Sequence, residues 1–203
     1  MIVPESEALL ADLRARLPQV PAGLAAHDDY ELDPAMAAAR AAVLLPLIPG
    51  PEPALLFTRR TESLARHSGQ VSFPGGRSEP ADLSPIETAL RETMEETGIA
   101  PGFVTVVGYL DRYLTGTGFD IQPVVGVLAE GFALAPDARE VAEIFQVPLS
   151  FLMDPANRRR ETRVWQGRSR SFYAYRWNGH EIWGATAAIV VSLAERIGVI
   201  STP

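Results

Sequence analysis

Glu92, Glu95 and Glu96 lie close together in the chain. At about 100° per helical residue, their side chains project within an arc of roughly 100°. Carboxylates gathered this closely repel one another. A hard divalent cation relieves that repulsion. Mg2+ takes carboxylate oxygens, keeps several waters and bridges protein carboxylates to substrate phosphates. Arg91 stands one turn before Glu95, placed to orient a carboxylate. Taken alone, the three glutamates read more readily as a solvated acidic helix face. The nearby Phe73-Pro74-Gly75-Gly76 weighs against that reading. Adjacent glycines permit a tight turn and bring backbone N–H groups close to a ligand.

The element that must hold these groups runs from Ser84 to Gly98. Ser84 is a good N-cap, Pro85 suits the first turn, Glu87 completes a capping box, and Gly98 sits where a left-handed cap belongs. The spacing predicts a helix over 85–97, with Ile86, Leu90 and Met94 as an apolar stripe opposite the glutamates.

Elsewhere the pattern predicts an amphipathic helix over 4–17, closed by Pro18 and Pro21. Ala42 to Ile48 reads as a strand in which Pro46 implies an edge position or a bulge. Further strands are expected at 54–59, 70–73, 104–113, 121–128, 163–165, 171–177 and 181–183, with Asn178-Gly179 as a hairpin turn. Helices are expected at 137–144, 148–153 and 186–197. Mixed strands with interspersed helices imply an α/β or α+β sandwich.

The 203 residues, 47% of them hydrophobic, suit one domain, 1–203, with a real core. There is no apolar run of membrane-spanning length and no secretory pattern at the start. Cysteine is absent, which excludes disulfides and thiolate chemistry and fits a cytoplasmic location. The net charge of −7 argues against a general nucleic-acid binder. All 18 basic residues are arginine, so Schiff-base chemistry and a phosphate-loop lysine are excluded.

The run Arg91-Glu92-Thr93-Met94-Glu95-Glu96-Thr97-Gly98-Ile99 resembles the REUxEExGU core of the Nudix box, in which U is a bulky apolar residue. Thr93 is less apolar than the pattern asks. Counted forward from Gly76, the box's upstream acidic position falls on Asp82, and the spacer to Arg91 is one residue longer than the general pattern. The box thus covers about 76–99, with an N-terminal helical extension over about 1–35. The coenzyme A-cleaving branch of the family has the same lengthened box and an upstream signature resembling LLTxR[SA]x3Rx3Gx3FPGG. Thr58, Arg60, Gly69 and Phe73-Pro74-Gly75-Gly76 match it, while Ala65 stands where the signature has arginine.

The resemblance implies a Nudix α/β/α sandwich with a mixed β-sheet. It also implies Mg2+ or Mn2+ dependence and hydrolysis of coenzyme A to 3′,5′-ADP and 4′-phosphopantetheine. Another nucleoside diphosphate derivative, such as ADP-ribose or a dinucleotide, is the alternative substrate, and a non-catalytic ligand sensor is the alternative class. Glu92 and Glu96 are expected as metal ligands with Glu95 as the third, Glu92 alternatively activating the attacking water. Glu140 or Glu143 is expected as general base. Asp82 is expected either as an outer support or as a loop cap. Arg60, Arg66 and Arg77 are candidates for reading the 3′-phosphate. His67, Gly75 and Gly76 are candidates for ligand contact. Arg158-Arg159-Arg160 reads as a solvated turn.

Overall fold

The computed structural model describes residues 4–21, 24–25, 39–62, 69–165 and 168–198. In chain order the elements begin with α1 (Pro4–Arg16), β1 (Leu24–Ala25), β2 (Ala39–Ile48), β3 (Ala54–Arg60), β4 (Val71–Ser72), β5 (Gly75–Arg77) and α2 (Pro85–Thr97). There follow β6 (Val104–Tyr109), β7 (Arg112–Leu114), β8 (Phe119–Leu128), β9 (Val141–Pro148) and α3 (Leu149–Met153). The described part closes with β10 (Arg159–Trp165), β11 (Arg168–Trp177), β12 (His180–Trp183) and α4 (Ala185–Arg196).

Nine strands form one mixed sheet ordered β1-β7-β8-β2-β3-β4, with β5 also on β2, β6 on β8 and β9 on β3. The β2–β8 and β1–β7 pairs are parallel and the others antiparallel. Side chains alternate across a strand, so β2 and β8 each feed two cores. Ala42, Leu44 and Val124 meet Ala89 of α2 on one face. Leu45, Leu47, Val125 and Val127 share the opposite face with Leu10 and Leu13 of α1 and with Ile189, Val190 and Leu193 of α4. Helices on both faces make the expected α/β/α sandwich. The hairpin sheet β10-β11-β12 turns at Asn178 (φ 45°) and Gly179 (φ 85°), the positive-φ pair a two-residue hairpin requires. Among the described residues no helix is long and apolar enough to cross a membrane.

Three expectations fail for identifiable reasons. Pro46 lies in a central strand: β8 pairs β2 through Pro46, and on the other side β2 changes partner from β5 (to Val43) to β3 (from Leu47). A residue without an N–H costs nothing in the gap between two partners. The helix expected over 137–144 is a turn at Asp137–Glu140 followed by β9, because pairing with β3 claims the backbone from Val141 onward. Arg159 and Arg160 are solvent-exposed as expected but begin β10 where a turn was expected, and Arg158 and Arg160 lie over the Tyr173 ring.

Candidate active site

The helix that carries the glutamates forms as its sequence dictates. The Ser84 hydroxyl accepts from Glu87 N–H at 3.2 Å. The Glu87 carboxylate accepts from Leu83 N–H at 2.8 Å, one residue further back than a standard box. Gly98, at φ 78°, ends the helix and donates to the Met94 carbonyl. Of the expected apolar stripe, Ile86 and Leu90 pack half-buried against the α2 core, and Met94 does not. Met94 is exposed, and the buried face runs through Thr88, Ala89, Thr93, Glu96 and Thr97. Thr93 and Thr97 donate their hydroxyls to the carbonyls four residues back, both at 2.6 Å. With the hydroxyl satisfied on the helix itself, a threonine presents its methyl group to the core, which explains Thr93 at an apolar position of the box.

Arg91 is the hub of the acidic cluster. Its Nε and Nη2 donate to the two oxygens of Asp82 at 3.1 and 3.0 Å, and Nη2 also donates to the Arg77 carbonyl at 3.1 Å. Its Nη1 donates to Glu92 at 3.0 Å and to Glu95 at 3.1 Å. Asp82 is almost fully enclosed and also accepts from Glu79 N–H and the Thr88 hydroxyl. It caps the loop through Glu79 N–H and holds the Arg91 guanidinium. The hydrogen bonds from Arg91 hold its carboxyl far below the ordinary carboxylate range. The same pairing raises the Arg91 guanidinium.

The three glutamates differ in environment. Glu95 is exposed. Glu92 is largely enclosed, and burial raises its pKa against the pull of Arg91. Glu96 is only 4% exposed. One of its oxygens accepts from Gly75 N–H at 3.2 Å, and the other lies 3.6 Å from Arg60 Nη1. Burial pushes its carboxyl up to about 7, with Gly75 and Arg60 opposing and Glu92 and Glu140 adding to the rise. As the side chains stand, no group of three carboxylates or imidazoles among the described residues closes into a metal cage. Instead the carboxylates are arranged around two guanidiniums, Arg91 between Glu92 and Glu95, and Arg60 beside Glu96.

The glycine pair serves this cluster. Gly75 spends its N–H on Glu96. A Cβ on Gly76 would stand 2.6–2.7 Å from the Glu92 carboxylate. The backbone of both glycines thus approaches the protein's own carboxylates closely.

The two base candidates have different neighbours. Glu140 is exposed in the turn before β9, near enough to the cluster for its charge to add to the rise of Glu92 and Glu96. Glu143 faces away: it accepts from Arg59 Nε at 3.1 Å and lies 3.5 Å from His180, which stacks on Phe145. Arg59 and Arg60 are consecutive on β3 and point to opposite faces, which is why one reaches Glu143 and the other Glu96. Arg77 is exposed, on the far side of Gly76 from Gly75. Arg66 and His67 lie outside the described residues. Trp183 packs on Phe172 beneath Arg163.

Sequence reasoning missed a cleft of about 790 Å3 beside the N-terminal half of α2, whose lining includes Arg40, Arg112, Asp120 and Gln122 together with Arg77 and Glu92. The one signal for it was a polar pair at alternate positions, Asp120 and Gln122, in an otherwise apolar strand.

Comparison with known proteins places the sequence among relatives of one family. The family model described as NUDIX domain matches residues 27–166. A Photorhabdus laumondii protein described as uncharacterized Nudix hydrolase NudL is 43% identical over 159 residues, spanning 78% of this chain and 85% of that protein. A Pectobacterium atrosepticum protein of the same description is 41% identical over 166 residues, spanning 78% and 82%. Among solved structures, a Nudix hydrolase from M. smegmatis, RenU, superposes with a TM-score of 0.44 at 23% identity, covering 55% of this chain and 72% of that one.

Proposed function

The chain belongs to the Nudix family and is a Nudix hydrolase, and from that premise we propose that it cleaves the diphosphate bond of coenzyme A or its derivatives, giving 3′,5′-ADP and 4′-phosphopantetheine. The observation that carries this reading is the way residues 58–62 and 69–76 meet the box. Thr58 on β3 bonds Ser72 on β4, and this pairing delivers Arg60 and Gly75 to the same buried carboxylate, Glu96. The lengthened spacer from Asp82 to Arg91 ends in a charged clamp between those two residues.

Asp82, Glu92, Glu95, Glu96 and Glu140 outnumber the guanidiniums of Arg60 and Arg91. Glu92 and Glu96 are raised by burial and by neighbouring negative charge. An all-oxygen donor set with unbalanced negative charge suits Mg2+ or Mn2+, with Glu92, Glu95 and Glu96 as the holders. When bound, such an ion neutralises diphosphate oxygens and acidifies water. Asp82 fixes the Arg91 guanidinium, which sets the directions of Glu92 and Glu95. Arg60 opposes substrate charge from the other flank. Glu140 is the general base, since its charge reaches the cluster while Glu143 is paired with Arg59 beside His180. The chemistry uses no thiol or lysine, and the absence of cysteine suits the cytoplasm.

The test is a substrate panel with Mg2+ and with Mn2+: coenzyme A, dephospho-coenzyme A, ADP-ribose and a dinucleoside polyphosphate. Coenzyme A is expected to have the highest kcat/KM, with label from 18O water on one product phosphate. Faster cleavage of ADP-ribose replaces this reading with that of a general nucleoside diphosphate hydrolase.

A further inference from the structure

The cleft beside α2 is a polar site that shares Asp82 and Glu92 with the cluster and whose other polar side chains the cluster chemistry leaves unused. Ala42, Leu44 and Val124 point into the α2 core, so Arg40, Asp120 and Gln122 point to the same face by alternation. Parallel pairing sets Arg40 opposite Asp120 and Ala42 opposite Gln122. Gln122 is 4% exposed. Both donors of its amide are committed, to the Leu110 carbonyl at 2.8 Å and the Pro123 carbonyl at 3.1 Å. Its Oε1 is buried without a partner. Asp120 is in the same condition: Oδ2 takes Arg112 Nη1 at 2.9 Å, and Oδ1 is buried and unpartnered. Enclosed acceptors without donors are uncommon in folded proteins and call for an explanation.

Cations stand beside these acceptors. Arg40 and Arg77 are exposed, line the cleft and make no ion pair among the described residues. Of the acids in the cleft wall, Asp82 is already committed to Arg91 and Asp120 to Arg112. Leu83, 88% exposed, with Pro80 and Pro85, adds an apolar rim. Glu92 lines the same cleft, so it opens toward the acidic cluster.

We propose that this cleft binds the phosphorylated nucleoside half of the substrate, with Arg40 and Arg77 holding its phosphomonoester and Asp120 and Gln122 accepting N–H or O–H donors from the nucleoside. Guanidiniums match a phosphate's oxygens by paired N–H donors. A nucleoside supplies both the donors the two oxygens lack and a flat apolar body for the Leu83 rim. A volume near 790 Å3 lies within the range of small-ligand sites. The assignment rests on the reading of the substrate as a 3′-phosphorylated nucleoside diphosphate derivative, and it moves phosphate recognition from Arg60, which is turned to Glu96, to Arg40.

The test is calorimetric binding of 3′,5′-ADP, 5′-AMP and inorganic phosphate to the full chain and to its Arg40→Gln and Arg77→Gln variants. Both side chains are exposed, so both variants fold. The wild type is expected to prefer 3′,5′-ADP over 5′-AMP by at least about tenfold. Arg40→Gln is expected to weaken 3′,5′-ADP by roughly ten- to a hundredfold and 5′-AMP by less than about threefold. An unchanged ratio between the two nucleotides in both variants overturns the proposal. So does inorganic phosphate binding as tightly as 3′,5′-ADP. Coenzyme A hydrolysis on the same preparations separates the claims. Hydrolysis with an unchanged ratio removes the cleft assignment alone. Arg40-dependent nucleotide binding without hydrolysis of coenzyme A removes the substrate reading alone.

Discussion

Replacing Glu96 by glutamine should stabilise the metal-free protein while abolishing most of its activity. The Glu96 carboxyl stands at about 7 against an ordinary 4.5. Below about 4.5 it is protonated in both folded and unfolded chains, and its contribution to stability is fully present. As pH rises through about 7, the unfolded chain has already released the proton and the folded chain must bury a charge, so that contribution is lost. The displacement corresponds to roughly 3 kcal/mol at pH 8.5. Gly75 N–H and Arg60 are already counted within it, since both oppose the rise. Glutamine keeps an oxygen for Gly75 N–H and carries no charge. Urea unfolding in excess EDTA should therefore show the two proteins nearly equal at pH 4.5 and the variant ahead by about 1–3 kcal/mol at pH 8.5. Saturating Mg2+ should reverse the order by stabilising the wild type through binding. Turnover should fall by roughly a hundredfold or more with one charged ligand removed. A wild type as stable as the variant at pH 8.5 in EDTA would falsify the burial argument. Near-normal turnover would remove Glu96 from the metal site.

Asp82→Asn should cost about 1.5–3 kcal/mol at pH 7 by breaking a charge-assisted clamp. Because the Asp82 carboxyl is held low, that loss should shrink as pH falls below about 4, where the wild type gives up the same contribution; equal penalties at pH 3 and pH 7, measured by urea titration, refute the clamp. Gly76→Ala should place a methyl group 2.6–2.7 Å from the Glu92 carboxylate and lower kcat by about ten- to a hundredfold, because a displaced reacting group loses its orientation; unchanged kcat in steady-state assays counts against the packing. Glu140→Gln should lower kcat by about a hundredfold, whereas Glu143→Gln, beside Arg59 and His180, should leave kcat within about twofold and cost about 0.5–1 kcal/mol of stability. Reversal of that pair in matched kinetic and melting measurements exchanges the two assignments.

What the amino-acid sequence determined by itself was local. The helix over 85–97 is written in Ser84, Pro85, Glu87 and Gly98, whose partners lie within a few residues. The spacing of Arg91, Glu92, Glu95 and Glu96 follows from the helical period alone, and the Asn178-Gly179 hairpin from two backbone angles. Tertiary structure decided everything that depends on which strand lies beside which. Residues 137–144 gave up a helical pattern because β3 offers hydrogen-bond partners from Val141 onward, and Pro46 is tolerated centrally because two partners hand over beside it. Glu140 and Glu143 are equivalent in sequence and are separated only by the groups the fold brings near each, Glu92 and Glu96 for the first and Arg59 and His180 for the second. Glu96 becomes a buried carboxyl near neutrality because Gly75, some twenty residues away in the chain, closes over it, and no window of sequence contains that burial. The cleft joins Arg40, Arg77, Arg112 and Gln122 from four strands. Its character depends on two oxygens left without donors, which only a complete account of tertiary hydrogen bonds reveals.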